Sequence, residues 1–102
     1  MRIAVNDCWG GFSVSHAIYD ILGIKWDGYG FLSNKDLGIE SNNCDAYRAD
    51  ARLIAAIEKI GCDAASGEYA EITIIEVPDD IEWYIDNYDG KESVHEEHRS
   101  WY

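Results

Sequence analysis

Basic residues are scarce in this chain: 8 Lys and Arg stand against 20 Asp and Glu, for a formal net charge of −12. A field of that sign repels nucleic acid and anionic membrane surfaces, so direct binding to either is not expected. Proline occurs once, at Pro78, and cysteine three times, as Cys8, Cys44 and Cys62. That odd number, without CxxC spacing, argues against a disulfide framework and points to a reduced cytoplasmic protein. Long apolar runs are missing, so neither a signal peptide nor a membrane span is expected. The glycine pair Gly10-Gly11 has no following Lys-Ser/Thr and no GxGxxG spacing, which excludes the usual nucleotide fingerprints.

What is present is a chain of 102 residues, 47% apolar, the size of one domain with a modest core. Four Trp and seven Tyr exceed what such a core needs, so some are expected to face a ligand or partner. The charge is uneven. Residues 1–51 carry four bases and seven acids, whereas residues 52–102 carry four bases and thirteen acids.

Patterning predicts a strand over residues 2–6, then a helix capped by Ser13 or Ser15, running to Leu22 and stopped by Gly23. Ile18, Ile21 and Leu22 form its apolar face. Residues 24–32 read as short strands around a turn at Asp27-Gly28, and 33–48 as a polar loop centred on Ser41-Asn42-Asn43. Asp50 caps an amphipathic helix to Ile60, with Leu53, Ile54 and Ile57 inward and Gly61 as its stop. Strands are expected over 69–77, closed by Pro78, and over 81–88, followed by a turn at Asp89-Gly90. Residues 92–98 read as a returning strand or a short helix. The expectation is a single α+β domain over 1–102: a small, mainly antiparallel sheet with two helices packed on one face, strand one beside 69–77.

The stretch Asn6, Cys8, Trp9, Gly10, Gly11, Phe12, Ser13 and Ser15 joins a strand to a helix. A glycine pair there lets backbone approach a ligand, and the helix start offers N–H groups to an anion. His98, Arg99 and Trp101 at the far end could close over it, the arginine clamping a phosphate and a ring stacking on a base. Arg48 and Arg52 offer a second cationic pair. Cys8 is a candidate nucleophile with His16, His95 or His98 as base. His95 and His98 share a side only on a helix and lack a third ligand, so neither a metal nor a cofactor is assigned. The acids Asp79, Asp80, Glu82, Asp86, Asp89, Glu92, Glu96 and Glu97 form a candidate face for a basic protein.

The end motifs resemble those of a family of small, uncharacterised tailed-phage and prophage proteins. One is Asn-x-Cys-aromatic-Gly-Gly-Phe-x-aliphatic-Ser, matched by Asn6, Cys8, Trp9, Gly10, Gly11, Phe12, Val14 and Ser15. The other runs Glu-aliphatic-Pro-Asp-Asp, through Trp83 and Tyr88-Asp89-Gly90, to His98, Arg99 and Trp101. The resemblance implies a protein of the host bacterial cytoplasm and, by analogy, a counter-defence role.

Three functions are compatible with these features. The first expectation is a sponge that sequesters a small nucleotide-type immune signal between the glycine loop and the His-Arg-x-Trp end; as a homo-oligomer it would gain pocket walls from a second subunit. The second is an acidic, DNA-mimicking inhibitor, anti-CRISPR-like, of a basic host defence protein. The third is an enzyme built on Cys8.

Overall fold

The computed structural model describes residues 1–96. The expectations placed on Glu97, His98, Arg99 and Trp101 therefore lie outside the described residues. The fold is α+β, with β1 (Arg2–Asn6), α1 (His16–Leu22), α2 (Ala51–Ile60), α3 (Cys62–Ala65), β2 (Ile72–Glu76), β3 (Trp83–Tyr88) and β4 (Lys91–Glu96). β1 pairs antiparallel with β2, Ile3 facing Ile75 and Val5 facing Thr73. β3 and β4 form an antiparallel hairpin through the turn at Asp89-Gly90.

The single expected sheet is two ladders. The reason lies in β1. Side chains alternate across a strand, and here both faces are covered. Ala4 packs with Ile72 against Ile18, Leu53 and Ile57 of the helices, while Ile3 and Val5 pack against Trp83, with Ile85 and Val94 around it. The hairpin thus lies on the open face of β1–β2 rather than extending its edge. This explains why Ile3, Ala4, Val5 and Asn6 are all buried instead of alternating.

Helix α2 follows its sequence signals closely. The Asp50 carboxylate accepts the Arg52 N–H at 2.9 Å, and the Gly61 N–H closes the last turn on Ile57 O. Helix α1 starts after Ser15, whose hydroxyl donates to Ala64 O at 2.7 Å rather than capping its own helix. Ile18 and Tyr19 are buried there, whereas Ile21 faces solvent, contrary to the expected face.

Two connecting segments differ from expectation. Residues 33–48 hold two 3₁₀ turns, Asn34–Leu37 and Ala46–Ala49. Asparagines pin them: Asn34 donates to Asn43 O and accepts the Tyr47 N–H, and Asn43 donates to Trp83 O. Residues 24–32 contain no strand; the backbone there winds around the Asp27 carboxylate.

Candidate functional site

The glycine motif is divided: Trp9 and Gly10 reach the surface, while Asn6 and Phe12 turn inward. Asn6 is fully buried, and its side chain is saturated by its own chain: Nδ2 donates to Cys8 O and Gly90 O, both at 2.7 Å, and Oδ1 accepts the Glu71 N–H at 2.8 Å. A Cβ added at Gly10 would lie 1.7 Å from Tyr69 O, and one added at Gly90 would lie 2.6 Å from Gly11 N. The close approach that these glycines permit is taken up by protein backbone, not left for a ligand. Phe12 and Ser13 are buried as well. The Ser15 N–H is bound to Ala65 O. Asn6 and Phe12 are therefore corrected from ligand-facing to structural, whereas Ser13, though buried, lines an adjoining groove.

Glu92 is a second correction. It leaves the acidic face and enters the core, where its carboxylate takes both Arg48 amino groups at 2.7 and 2.9 Å and also the Asn6 N–H at 2.9 Å. The Arg48 guanidinium lies 3.6 Å from the Phe12 ring centroid. Burial works against the Arg48 charge, yet Glu92 and the Tyr47 hydroxyl hold its pKa above the ordinary arginine value. Arg52 bonds Asp50 and Leu37 O instead. The expected second cationic pair is thus a buried clasp and a helix-end contact.

The Cys8 thiol lies 3.2 Å from Tyr69 O and 3.4 Å from Asn6 Oδ1. Neither described candidate base is among these partners. His16 pairs with Asp20 at 3.2 Å and packs on Trp26. His95 stacks on Tyr84, with Ser93 Oγ at 2.9 Å and Asp86 at 3.9 Å both facing the same ring nitrogen, Nε2. A relay needs one partner on each nitrogen.

Beside the motif, an open groove of about 370 Å³ takes in Gly10, Ser13 and Ser15 from the expected ligand set. Its walls are the residues that sequence reasoning missed: Trp26, Tyr29, Phe31 and Tyr69. Tyr29, Phe31 and Tyr69 are 73%, 61% and 70% exposed. Tyr29 and Phe31 stack with centroids 6.1 Å apart and planes 14° from parallel. The Asp27 carboxylate fixes their backbone by accepting the N–H groups of Tyr29, Gly30 and Phe31 at 2.7, 2.6 and 3.1 Å. Burial alone would raise the Asp27 pKa, but these N–H donors hold it below the ordinary carboxylate value. Gly30, at φ +94°, fits against Val14 O, which a Cβ would approach to 2.1 Å. The available signal was the spacing Asp27-Gly28-Tyr29-Gly30-Phe31, a carboxylate followed by alternating glycines and rings.

On the hairpin side, Asp79, Asp80, Glu82, Asp86, Asp89 and Glu96 are exposed. Asp79 pairs with the amino-terminal ammonium, which holds its carboxyl below the usual range. Exposed rings lie among these acids: Tyr84, Tyr88, and Trp9 packed edge-on to Tyr88 with Lys91 over its face.

No protein-family model matches the chain, and no curated protein or solved structure matches it. No helix among the described residues is long and apolar enough to cross a membrane.

Proposed function

We propose that the protein is a non-catalytic binding protein that occupies a basic protein surface through its acidic, aromatic-studded exterior. The carrying observation is that acids and rings share the hairpin: Tyr84, Asp86 and Tyr88 alternate along β3 and are exposed, the exposed Asp89 follows in the turn, and the exposed Asp80 precedes the strand. Gly10 of the conspicuous motif and Gly90 of the neighbouring turn, by contrast, admit only the chain's own backbone. Complementary charge raises the association rate and selects a cationic partner, and rings supply contact area at low entropic cost. Since a −12 exterior repels polyphosphates, a nucleotide sponge has weaker support. The likeness to small phage proteins makes the basic partner a host defence component in the bacterial cytoplasm; that part rests on the resemblance alone.

Affinity capture from a bacterial lysate at low salt, wild type beside an Asp80→Asn/Asp86→Asn/Asp89→Asn variant, tests the reading. A basic nucleic-acid-handling protein retained by the wild type and lost with the variant or at ~0.5 M salt is expected. The reading is overturned if no basic protein distinguishes the two while a cyclic nucleotide raises the melting temperature; at 100 times its Kd, such a ligand adds about 2.7 kcal/mol.

A further inference from the structure

We infer that the groove walled by Trp26, Tyr29, Phe31 and Tyr69 accepts an arginine side chain of the basic partner, with the guanidinium lying on the Tyr29–Phe31 pair. This rests on the basic-partner reading above.

Charge complementarity points to the occupant. Among the described residues, the groove is lined by no Lys or Arg. Its ionisable members are Glu68, which makes no ion pair among those residues, and His16, already beside Asp20. An anion would find no counter-charge here, whereas a cation finds a carboxylate and the field of a −12 chain. Shape narrows the choice further. Two near-parallel exposed rings offer flat π surface, which suits a planar guanidinium better than a compact, strongly hydrated ammonium. The surface is also preorganised, because three N–H bonds to Asp27 and the seat of Gly30 against Val14 O fix the loop before anything binds. A volume of about 370 Å³ is enough for one long side chain with its flanking backbone.

The test titrates blocked hexa-arginine and hexa-lysine peptides into the full chain at low salt, following the Trp26 indole resonance by NMR. Three variants are compared: Tyr29→Ala/Phe31→Ala, the conservative Tyr29→Phe, and the hairpin triple Asp80→Asn/Asp86→Asn/Asp89→Asn. The arginine peptide should bind several-fold more tightly than the lysine peptide and shift the Trp26 signal. The double alanine variant, with unchanged circular dichroism, should lose about tenfold in arginine affinity, while Tyr29→Phe keeps it. Equal binding of both peptides, unaffected by Tyr29→Ala/Phe31→Ala but lost in the hairpin triple, would overturn the groove assignment and leave the basic-partner reading standing. No binding of either peptide would remove both. Saturation of the groove by a cyclic dinucleotide, or self-association lost in the double variant, would give it to another occupant and overturn the inference.

Discussion

Two glycine-punctuated aromatic segments, residues 8–12 and 26–31, are used by the fold in opposite senses. In the first, Gly10 lets the Tyr69 backbone press against the loop, Gly90 of the hairpin turn fits against Trp9 O and Gly11 N, and Phe12 is buried under the Arg48 guanidinium. In the second, Gly30 also admits backbone, that of Val14, but its neighbours Tyr29 and Phe31 are turned to solvent. Phe12 thus serves cohesion and Tyr29 and Phe31 display, while each segment also holds one tryptophan of the other kind, Trp9 exposed in the first and Trp26 packed on the core in the second. What separates them is what the surrounding chain covers. Segment 8–12 lies between the α3–β2 loop at Tyr69 and the hairpin turn at Gly90, whereas 26–31 is held by Asp27 from within and by Val14, His16 and Tyr19 on one side, leaving Tyr29 and Phe31 uncovered.

If the first segment is a structural hub, breaking its clasp should produce the largest effect. Glu92→Ala leaves the Arg48 charge buried and unpaired, and should cost about 3–5 kcal/mol in urea unfolding. Against a typical total of roughly 5–15 kcal/mol, that threatens folding outright. A loss near zero would mean that Arg48 escapes to solvent and the hub is not a clasp.

A smaller loss is expected where the second segment seats on Val14. Gly30→Ala forces a Cβ toward Val14 O at positive φ, for a cost of about 1–3 kcal/mol in thermal or urea unfolding. It should also separate the Tyr29 and Phe31 rings, visible as altered near-ultraviolet dichroism. Intact dichroism would show that the loop does not depend on this seat.

The smallest effect concerns acid. Because the Asp27 carboxyl is held low in the folded chain, its contribution is present above the ordinary carboxylate range and lost as pH falls through the depressed folded value. Below about pH 4, the ring signal of the wild type should therefore loosen reversibly, ahead of global unfolding. Asp27→Asn should lack that step. Its persistence in the variant would assign the transition to another carboxylate.

Local signals in the chain were legible where local physics decides. The strand Arg2–Asn6, helix α2 between Asp50 and Gly61, and the Asp89-Gly90 turn follow from patterning, capping and turn chemistry. Glu92 was not legible as a core residue, since its burial depends on Arg48 arriving from 44 positions away. The glycine motif misled for a related reason: Gly10 records that something comes close, without recording whether it is a ligand or the chain itself. Segment 26–31 reads as a hairpin because Asp27-Gly28 is a common turn pair, and a three-fold backbone wrap of one carboxylate leaves the same composition. The α+β class survived these errors. The division into two ladders did not show, because an apolar run such as Ile3-Ala4-Val5 reads alike whether its second face meets a helix or a hairpin.

The clasp also has a history in time. Synthesis adds residues in order at about 5–20 per second, so Arg48 is part of the nascent chain for roughly 2–9 s before Glu92 is made. In that interval the helical half can collect around Tyr19 and Leu53, but its guanidinium has no carboxylate and Asn6 lacks Gly90 O. Closure is thus postponed to the last hairpin. A ribosome that stalls between residues 49 and 91 holds an unsealed chain open to chaperones and proteases, and that exposure ends only when Glu92 has left the ribosome and the hairpin folds onto β1.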